Sequence, residues 1–298
     1  MKRQIEKGLI KKLTNSSLWK NKLEDDCRKQ DVFMAIRDNK IGFYHKGGLL
    51  FSFDKKNGFR THIKYASVIE SDGKDYLNEN DLKNYKLLSE FESSYTRIKE
   101  NCSKYSGVEA SGVSEIYHGH SYISTTDDVI VLDIEVSFNT DNLLSNDPIN
   151  DKQKKQDRID ILLYKKSTKT LQFVEAKHYS NTEIWSKTTP KVIKQIKGYE
   201  DNQINKKEKV IIKEFGNYVN IINDLFHLNI PMPVYIDPKV TLLIFGFDKD
   251  QLSGRLKELI FDKPEYNEIK LYPIGSINGV KMLTLWDRKK RIVTKAKN

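Results

Sequence analysis

The chain has 298 residues, which is enough for one large domain or two small ones with a hydrophobic core in each. No run of 18 or more apolar residues occurs, so no transmembrane helix is expected. The start, MKRQIEKGLIKKL, lacks the apolar stretch and cleavage site of a signal peptide. Cys27 and Cys102 have no CxxC spacing and imply neither a disulfide framework nor a zinc site. A cytoplasmic protein is the simplest prediction.

Positive charge is concentrated in one segment of the chain. The net charge is +10. Residues 151–213 hold 16 Lys and Arg against 8 Asp and Glu, an excess of 16 − 8 = +8. Such a segment suits a polyanionic partner, and the alternative is an ordinary solvated face.

The first part of the chain predicts a small region of helices and antiparallel strands. Apolar spacing near 3.6 predicts a helix over residues 1–30. Residues 31–70 alternate short β-prone runs with turns, which is typical of a β-meander. Residues 80–104 return to helical spacing, and the polar stretch SGVEASGVSE at 106–115 predicts a linker. The turn sequences within the meander are Asp38-Asn39, Lys46-Gly47-Gly48 and Asn57-Gly58.

The remainder predicts a denser alternation of strands and helices. Strands are predicted over 129–138, 158–164, 171–177 and 240–247, and in the runs NEIKLYPI and KMLTLW. Helices are predicted over 188–201, 206–228 and 248–262, the last opened by Asp248. This pattern predicts an α/β (α+β) fold in two parts. An N-terminal region, 1–105, would recognise a partner, a DNA structure or a trigger, and a second domain would span 106–298.

Two of these strands, 158–164 and 171–177, are joined by six polar residues, which predicts an antiparallel hairpin. The opposed pairs of a symmetric hairpin are Tyr164 and Leu171, Leu162 and Phe173, Asp160 and Glu175, and Arg158 and Lys177. Both faces are largely apolar, so the hairpin is expected to be covered on both sides. One end of one face nevertheless carries Asp160, Glu175 and Lys177.

The repulsion between two opposed carboxylates on a buried hairpin must be compensated by positive charge. Directly opposed residues have Cβ atoms roughly 4.5–5.5 Å apart, and two bare carboxylates at that distance repel each other. A divalent cation is the natural answer, because Mg²⁺ binds one or two carboxylates together with water and phosphate oxygens. Lys177 would then orient a water or stabilise negative charge. The alternative is an ion cluster in which Arg158 and Lys177 hold Asp160 and Glu175.

At these residues the sequence resembles the PD-(D/E)xK nuclease superfamily. The matching elements are RID with Asp160 and FVEAK with Glu175 and Lys177, although the proline of the family's name is absent. Gln195 and Tyr199 in KQIKGYE fit the QxxxY element of the RecB-like branch, and their i, i+4 spacing puts them on one helix face. An ordinary amphipathic helix is the alternative for this pair. The resemblance covers roughly residues 129–247.

The resemblance implies a restriction-endonuclease-like mixed sheet flanked by helices. It implies Mg²⁺, for which Mn²⁺ substitutes, held by Asp160, Glu175 and the Ala176 carbonyl. Gln195 and Tyr199 would contact DNA or support the metal shell. The family usually adds an acidic residue upstream, and Glu135 is our choice here, with a solvated strand face as its alternative. Glu92 and Glu115 are the other candidates for that acid.

The expected activity is hydrolysis of DNA phosphodiester bonds. Small bacterial proteins that resemble this family often serve in restriction or defence against phage, so a partner protein encoded nearby is a further expectation. Two alternative functions stay open: a catalytically inactive nucleic-acid-binding or scaffold module of the same fold, and an RNase. Paired cuts would favour a homodimer.

Overall fold

The structure is a computed structural model that describes residues 1–66, 73–82, 90–138, 158–185, 188 and 190–287. The chain forms two compact units that interleave along the sequence. The first unit consists of Met1–Thr125, Ser137–Asp157 and Glu214–Ile230. The second unit consists of Thr126–Val136, Arg158–Lys213 and Pro231–Asn298.

Helices open the first unit. The segments are α1 (Leu9–Asn15), a π-helical turn (Trp19–Leu23) and α2 (Glu24–Arg28). The predicted helix over residues 1–30 is therefore confirmed for most of its length, with one break. At Ser16 the backbone becomes extended, and the Ser16 hydroxyl accepts a hydrogen bond from the Trp19 N–H at 3.3 Å, which restarts the helix.

The predicted β-meander is confirmed as an antiparallel sheet. Its strands are β1 (Phe33–Arg37), β2 (Lys40–His45), β3 (Gly48–Asp54), β4 (Gly58–His62) and β5 (Tyr76–Asn78), paired in that order. The short helix α3 (Ile63–Ala66) follows β4. The predicted breakers form the turns, because Asn39, Gly47 and Gly58 all adopt the left-handed backbone conformation that tight turns require.

The helix predicted over residues 80–104 is confirmed in part. The described helices there are α4 (Glu79–Leu82) and α5 (Tyr95–Lys104). Residues 83–89 of the prediction lie outside the described residues, and turns precede Tyr95. Phe91, Tyr95 and Ile98 are buried, as the apolar spacing indicated.

The linker predicted at 106–115 is wrong, because this segment belongs to helix α6 (Val108–His120). Its buried face includes the small residues Gly112 and Ser114 beside Val113, Ile116 and Tyr117. Small residues let the backbone of a helix approach its neighbours closely. In a sequence, however, glycine and serine are typical of loops, so they predicted a linker here. The first unit accordingly extends past the predicted boundary at 105/106, and the independence of regions 1–105 and 106–298 stays a prediction.

The second unit contains a mixed sheet. Its strands are β6 (Val129–Ser137), β7 (Arg158–Lys165), β8 (Thr170–His178), β9 (Tyr235–Ile236), β10 (Thr241–Phe245) and β11 (Lys270–Ile274). The order across the sheet is β11-β10-β8-β7-β6, with β9 paired to β8. β7 and β8 are antiparallel, whereas β8, β10 and β11 run parallel. The predicted strands up to NEIKLYPI are therefore confirmed.

Helices follow β8 and β10. They are α7 (Lys191–Gly198), a π-helical turn (Tyr199–Ile204), α8 (Asn205–Phe226), α9 (Lys249–Gln251), a π-helical segment (Leu252–Phe261) and α10 (Met282–Trp286). Asp248 opens α9 through a capping box with Gln251, as predicted. The strand predicted in KMLTLW is wrong: it forms α10, whose buried residues Met282 and Leu285 have helical rather than alternating spacing.

Together these elements make a mixed α/β protein, as the sequence predicted at that level. Among the described residues no helix is both long and apolar enough to cross a membrane.

Gly47 tests how α6 packs in the first unit. A Cβ at this position would lie 2.3 Å from the backbone carbon of Ala110, and the Gly47 N–H donates to the Tyr117 hydroxyl at 3.1 Å. We expect Gly47→Ala to lower the free energy of unfolding by about 3 kcal/mol, combining left-handed strain with a backbone clash. Urea denaturation measures the change.

Gly58→Ala is the matched control, because Gly58 shares the left-handed conformation but has open space around its Cβ position. It should cost only about 1 kcal/mol. Equal losses in the two variants would contradict the close approach of α6.

Candidate active site

The candidate site lies at the open end of the β7–β8 hairpin. Leu162 pairs with Phe173 and Tyr164 with Leu171, as the symmetric hairpin predicted. β7 lies between β6 and β8, and β8 lies between β7 and β10, so both strands are internal to the sheet. The paired ladder begins at Ile161, which leaves Asp160 one residue beyond it.

Asp160 and Glu175 form a desolvated acidic pair. The Asp160 carboxylate accepts a hydrogen bond from the Ala176 N–H at 2.7 Å, and the Glu175 residue is only 1% exposed. Asp160 keeps some exposed surface as a residue, yet its carboxyl group is desolvated. Burial and then the charge of Glu175 raise the pKa of Asp160 well above its ordinary value, against the opposing effect of Lys177. Holding both carboxylates ionised here therefore costs free energy.

Lys177 lies between two carboxylates. Its Nζ is 2.9 Å from Glu175 Oε1 and 3.4 Å from Glu183 Oε2. The side chain is almost fully buried, so these are strong partners for a desolvated ammonium group. Lys177 and Glu175, which the sequence predicted on one face of the hairpin, thus form an ion pair in the structure.

Asp160, Glu175, Lys177 and Glu183 form a cluster of charged side chains, together with Glu135 and its partner Arg158. Glu183 is the member of this cluster that the sequence analysis did not identify. It lies in a 3₁₀ turn, Thr182–Ile184, where its N–H donates to the Asn181 side chain at 2.8 Å. Its carboxylate also contacts Lys191 Nζ at 2.7 Å. Burial raises the pKa of Glu183, but the hydrogen bonds and positive charges of Lys191 and Lys177 outweigh this effect. The pKa of Glu183 is therefore below its ordinary value. The one sequence signal was the Asn-Thr-Glu start of a helical turn.

Glu135 remains the candidate for the upstream acid. It sits within β6 at a φ of 50°, a conformation that is costly for a residue other than glycine and recurs at functional sites. Its carboxylate is 3.7 Å from the Arg158 guanidinium, and its charge contributes to the raised pKa of Asp160. Glu135 therefore influences the acidic pair electrostatically.

The other acids that could serve as the upstream acid have different contacts from those of Glu135. Glu92 accepts a hydrogen bond from Asn21 at 2.8 Å within the first unit, and Glu115 is exposed on α6. Asp133, the other acid of β6, is fully buried, and its carboxylate accepts from the Ile134 N–H at 2.9 Å. Glu135 is among the largest contributors to the raised pKa of Asp160.

Gln195 and Tyr199 connect α7 to the start of β7. The Tyr199 hydroxyl donates to the Arg158 carbonyl at 2.7 Å and accepts from the Gln195 side-chain amide at 2.8 Å. Arg158 precedes Asp160 by two residues on the same strand. Tyr199 is 1% exposed, so a direct contact with nucleic acid does not fit this geometry. Its hydrogen bond to the strand that carries Asp160 fits the supporting role, while Gln195 is half-buried.

The donor atoms can be compared with what Mg²⁺ requires. Among the described residues, no group of three or more His, Cys, Asp and Glu side chains is placed to hold a metal ion. Mg²⁺ often binds through only one or two protein carboxylates, the rest being water and phosphate oxygens. Asp160, Glu175 and the Ala176 carbonyl match that smaller set of hard oxygen donors. A cation there would relieve the repulsion that raises the pKa of Asp160.

Comparison with known protein families, curated proteins and solved structures finds no match for this chain. The resemblance to the PD-(D/E)xK superfamily therefore stays a prediction from the sequence, based on the residues of the hairpin and on Gln195 and Tyr199.

Asp160→Asn should stabilise the protein when divalent cations are chelated. A carboxyl whose folded pKa is raised makes stability fall as pH rises between its unfolded and folded pKa values. Removing that charge should raise the free energy of unfolding at neutral pH by on the order of 1 kcal/mol, since one pKa unit is about 1.4 kcal/mol. The gain should vanish in acid, where Asp160 is already protonated. Urea denaturation across pH with EDTA present measures it.

Asp128→Asn provides the control of opposite sign. Hydrogen bonds from Ser167 outweigh burial and lower the pKa of Asp128, so this variant should lose stability at neutral pH. If Asp160→Asn also destabilises the protein at neutral pH, the acidic pair is not repulsive.

Proposed function

We propose that this protein is a Mg²⁺-dependent nuclease that hydrolyses DNA phosphodiester bonds. One observation carries the proposal: two carboxylates, Asp160 and Glu175, lie together in a desolvated position, with the Lys177 ammonium 2.9 Å from the second. Pairs of titratable groups with strongly shifted pKa values are more common at functional sites than elsewhere. A purely structural core has no need to bury two like charges side by side.

The topology supports a restriction-endonuclease-like core. Three successive strands, β6, β7 and β8, are neighbours in the sheet, helix α7 follows, and β10 then returns parallel to β8. In this proposal, the mixed sheet and its flanking helices are the scaffold that fixes the acids. Gln195 and Tyr199 hold the beginning of β7 in place through the Arg158 carbonyl.

The residues of the site have distinct roles in the proposed reaction. Bound Mg²⁺, or Mn²⁺ in its place, would act as a Lewis acid and lower the pKa of a water molecule. Asp160, Glu175 and the Ala176 carbonyl would hold the cation, with Glu135 as the further acid. Lys177 would stabilise negative charge that develops on the phosphate.

Exposed cations near the acids favour a polyanionic substrate. The Arg158 and Lys191 side chains are well exposed, and each lies in an ion pair with an acid of the cluster. Phosphate groups form stronger hydrogen bonds with such charged donors than with neutral ones. The positive balance of residues 151–213 agrees with this preference.

The wider biological setting is part of the proposal. The family resemblance suggests a role in bacterial restriction or in defence against phage, and a location in the cytoplasm. It also suggests that residues 1–105 serve in recognition and that a partner protein is encoded nearby. A homodimer would suit paired cuts in two strands.

A structural ion cluster is the main competing explanation. Lys177 already contacts Glu175 and Glu183, and Arg158 contacts Glu135, so the acids have cationic neighbours without a metal ion. A catalytically inactive nucleic-acid-binding or scaffold module of the same fold is another alternative, but it would have no need to keep the opposed acids Asp160 and Glu175. An RNase would share the site but act on another substrate.

A plasmid-nicking assay separates these possibilities. We expect cleavage by the wild-type protein with Mg²⁺ or Mn²⁺, none with EDTA, and a loss of about a hundredfold or more in Asp160→Asn and Lys177→Met. Labelled single- and double-stranded RNA in parallel reactions identifies an RNase. Lys257→Met is the control, because it removes a lysine from a surface ion pair with Asp262 in the same unit. Cleavage that survives in Asp160→Asn would assign the activity to a contaminant or to another site.

Tyr199→Phe tests the supporting role of α7. Loss of the hydroxyl removes this donor to the Arg158 carbonyl, so we expect a stability loss of about 1 kcal/mol and a cleavage loss of about tenfold. Tyr218→Phe is the control, since the buried Tyr218 hydroxyl donates to the Met34 carbonyl at 3.2 Å in the first unit. The Tyr122 hydroxyl donates to the same carbonyl at 2.8 Å, so the control should lose less stability than Tyr199→Phe and should keep its cleavage rate. Equal cleavage rates in both variants would contradict the supporting role.

A further inference from the structure

Lys177 has two carboxylate partners of different character. Glu175 is 1% exposed and belongs to the acidic pair, whereas Glu183 is partly exposed and lies on the turn after β8. The Lys177 ammonium is within 4 Å of both. A cation bound by Glu175 would compete with Lys177 for the same carboxylate, because both need its oxygen atoms.

We propose that Glu183 is a positioning residue that retains the Lys177 ammonium when Glu175 binds a divalent cation. This inference rests on the nuclease function proposed above and adds to it a residue outside the D…ExK set. Lys177 would keep one anionic partner throughout, so its charge would stay compensated in a nearly dry environment.

The surroundings of Glu183 suit this role. Asn181 accepts a hydrogen bond from the Glu183 N–H and so fixes the turn that carries the carboxylate. Lys191 binds the Glu183 Oε1 atom at 2.7 Å, while Lys177 approaches the other oxygen, Oε2. Each lysine therefore has its own carboxylate oxygen, and the Lys191 contact does not have to break for Lys177 to stay bound.

The geometry makes Glu183 act through Lys177 rather than as a metal ligand. Glu183 Oε2 faces the Lys177 Nζ, and Oε1 faces Lys191. Without Glu183, the Lys177 ammonium would depend on Glu175 more strongly and would oppose binding of a cation there. A general loss of negative charge would also weaken cation binding, so the experiment must separate the two effects.

A double-mutant cycle with Mn²⁺ as the probe makes this separation. Binding of Mn²⁺ to the full chain is measured by the loss of the free-ion electron paramagnetic resonance signal, without any cleavage step. The variants are Glu183→Gln, Lys177→Met and the double variant, with circular dichroism to confirm folding. Asp262→Asn is the control, because it removes an ion pair with Lys257 elsewhere in the second unit.

We expect Glu183→Gln to raise the Mn²⁺ dissociation constant about five- to tenfold in the wild-type background. In the Lys177→Met background the same substitution should change it less than about twofold, since the lysine through which Glu183 acts is gone. Asp262→Asn should leave binding unchanged.

Two results would overturn the inference, and they are distinguishable. If Glu183→Gln has the same effect with and without Lys177, or no effect at all, Glu183 does not act through Lys177, although the proposed nuclease can stand. If the wild-type chain binds no Mn²⁺ in this assay, the metal-dependent function fails, and the role of Glu183 fails with it.

Discussion

The candidate site depends on one electrostatic conflict, the burial of Asp160 beside Glu175. Two ionised carboxylates in a desolvated position repel each other, and the raised pKa of Asp160 records that cost. Two neighbours moderate the conflict: the Ala176 N–H donates a hydrogen bond to the Asp160 carboxylate, and the Lys177 ammonium forms an ion pair with Glu175. The surrounding sheet must be rigid enough to hold the acids together against their repulsion.

The sequence predicted the hairpin well because its information is local and periodic. Alternating apolar residues and a short polar turn leave few registers, and the observed pairing of Leu162 with Phe173 follows from them. The placement of Tyr199 against β7 was less accessible. Its spacing from Gln195 indicated a shared helix face, but burial of the hydroxyl against a strand carbonyl depends on how α7 packs.

The errors have a common physical origin in tertiary contacts. α6 was taken for a linker because its buried face uses Gly112 and Ser114, whose fit depends on the shape of their neighbours rather than on hydrophobicity. The run KMLTLW has strand-like composition, yet burial of Met282 and Leu285 selects a helix. Glu183 was missed because its contact with Lys177 depends on the path of a turn. Interleaving of the two units likewise leaves no periodic signal.

The π-helical turn at Tyr199–Ile204 gives the chain an unusual sensitivity to length. Its wide turn accommodates an additional residue between α7 and α8, and Tyr199 and Glu200 are both buried there. Glu200 is bound there by Lys239 and by the Val240 N–H. Deleting one residue from this turn would restore ordinary helical spacing and keep α8 in phase, but it would displace Tyr199 or Glu200 from its buried hydrogen-bond partner. A single deletion here would therefore disturb the polar contacts of the turn more than the direction of the helix that follows.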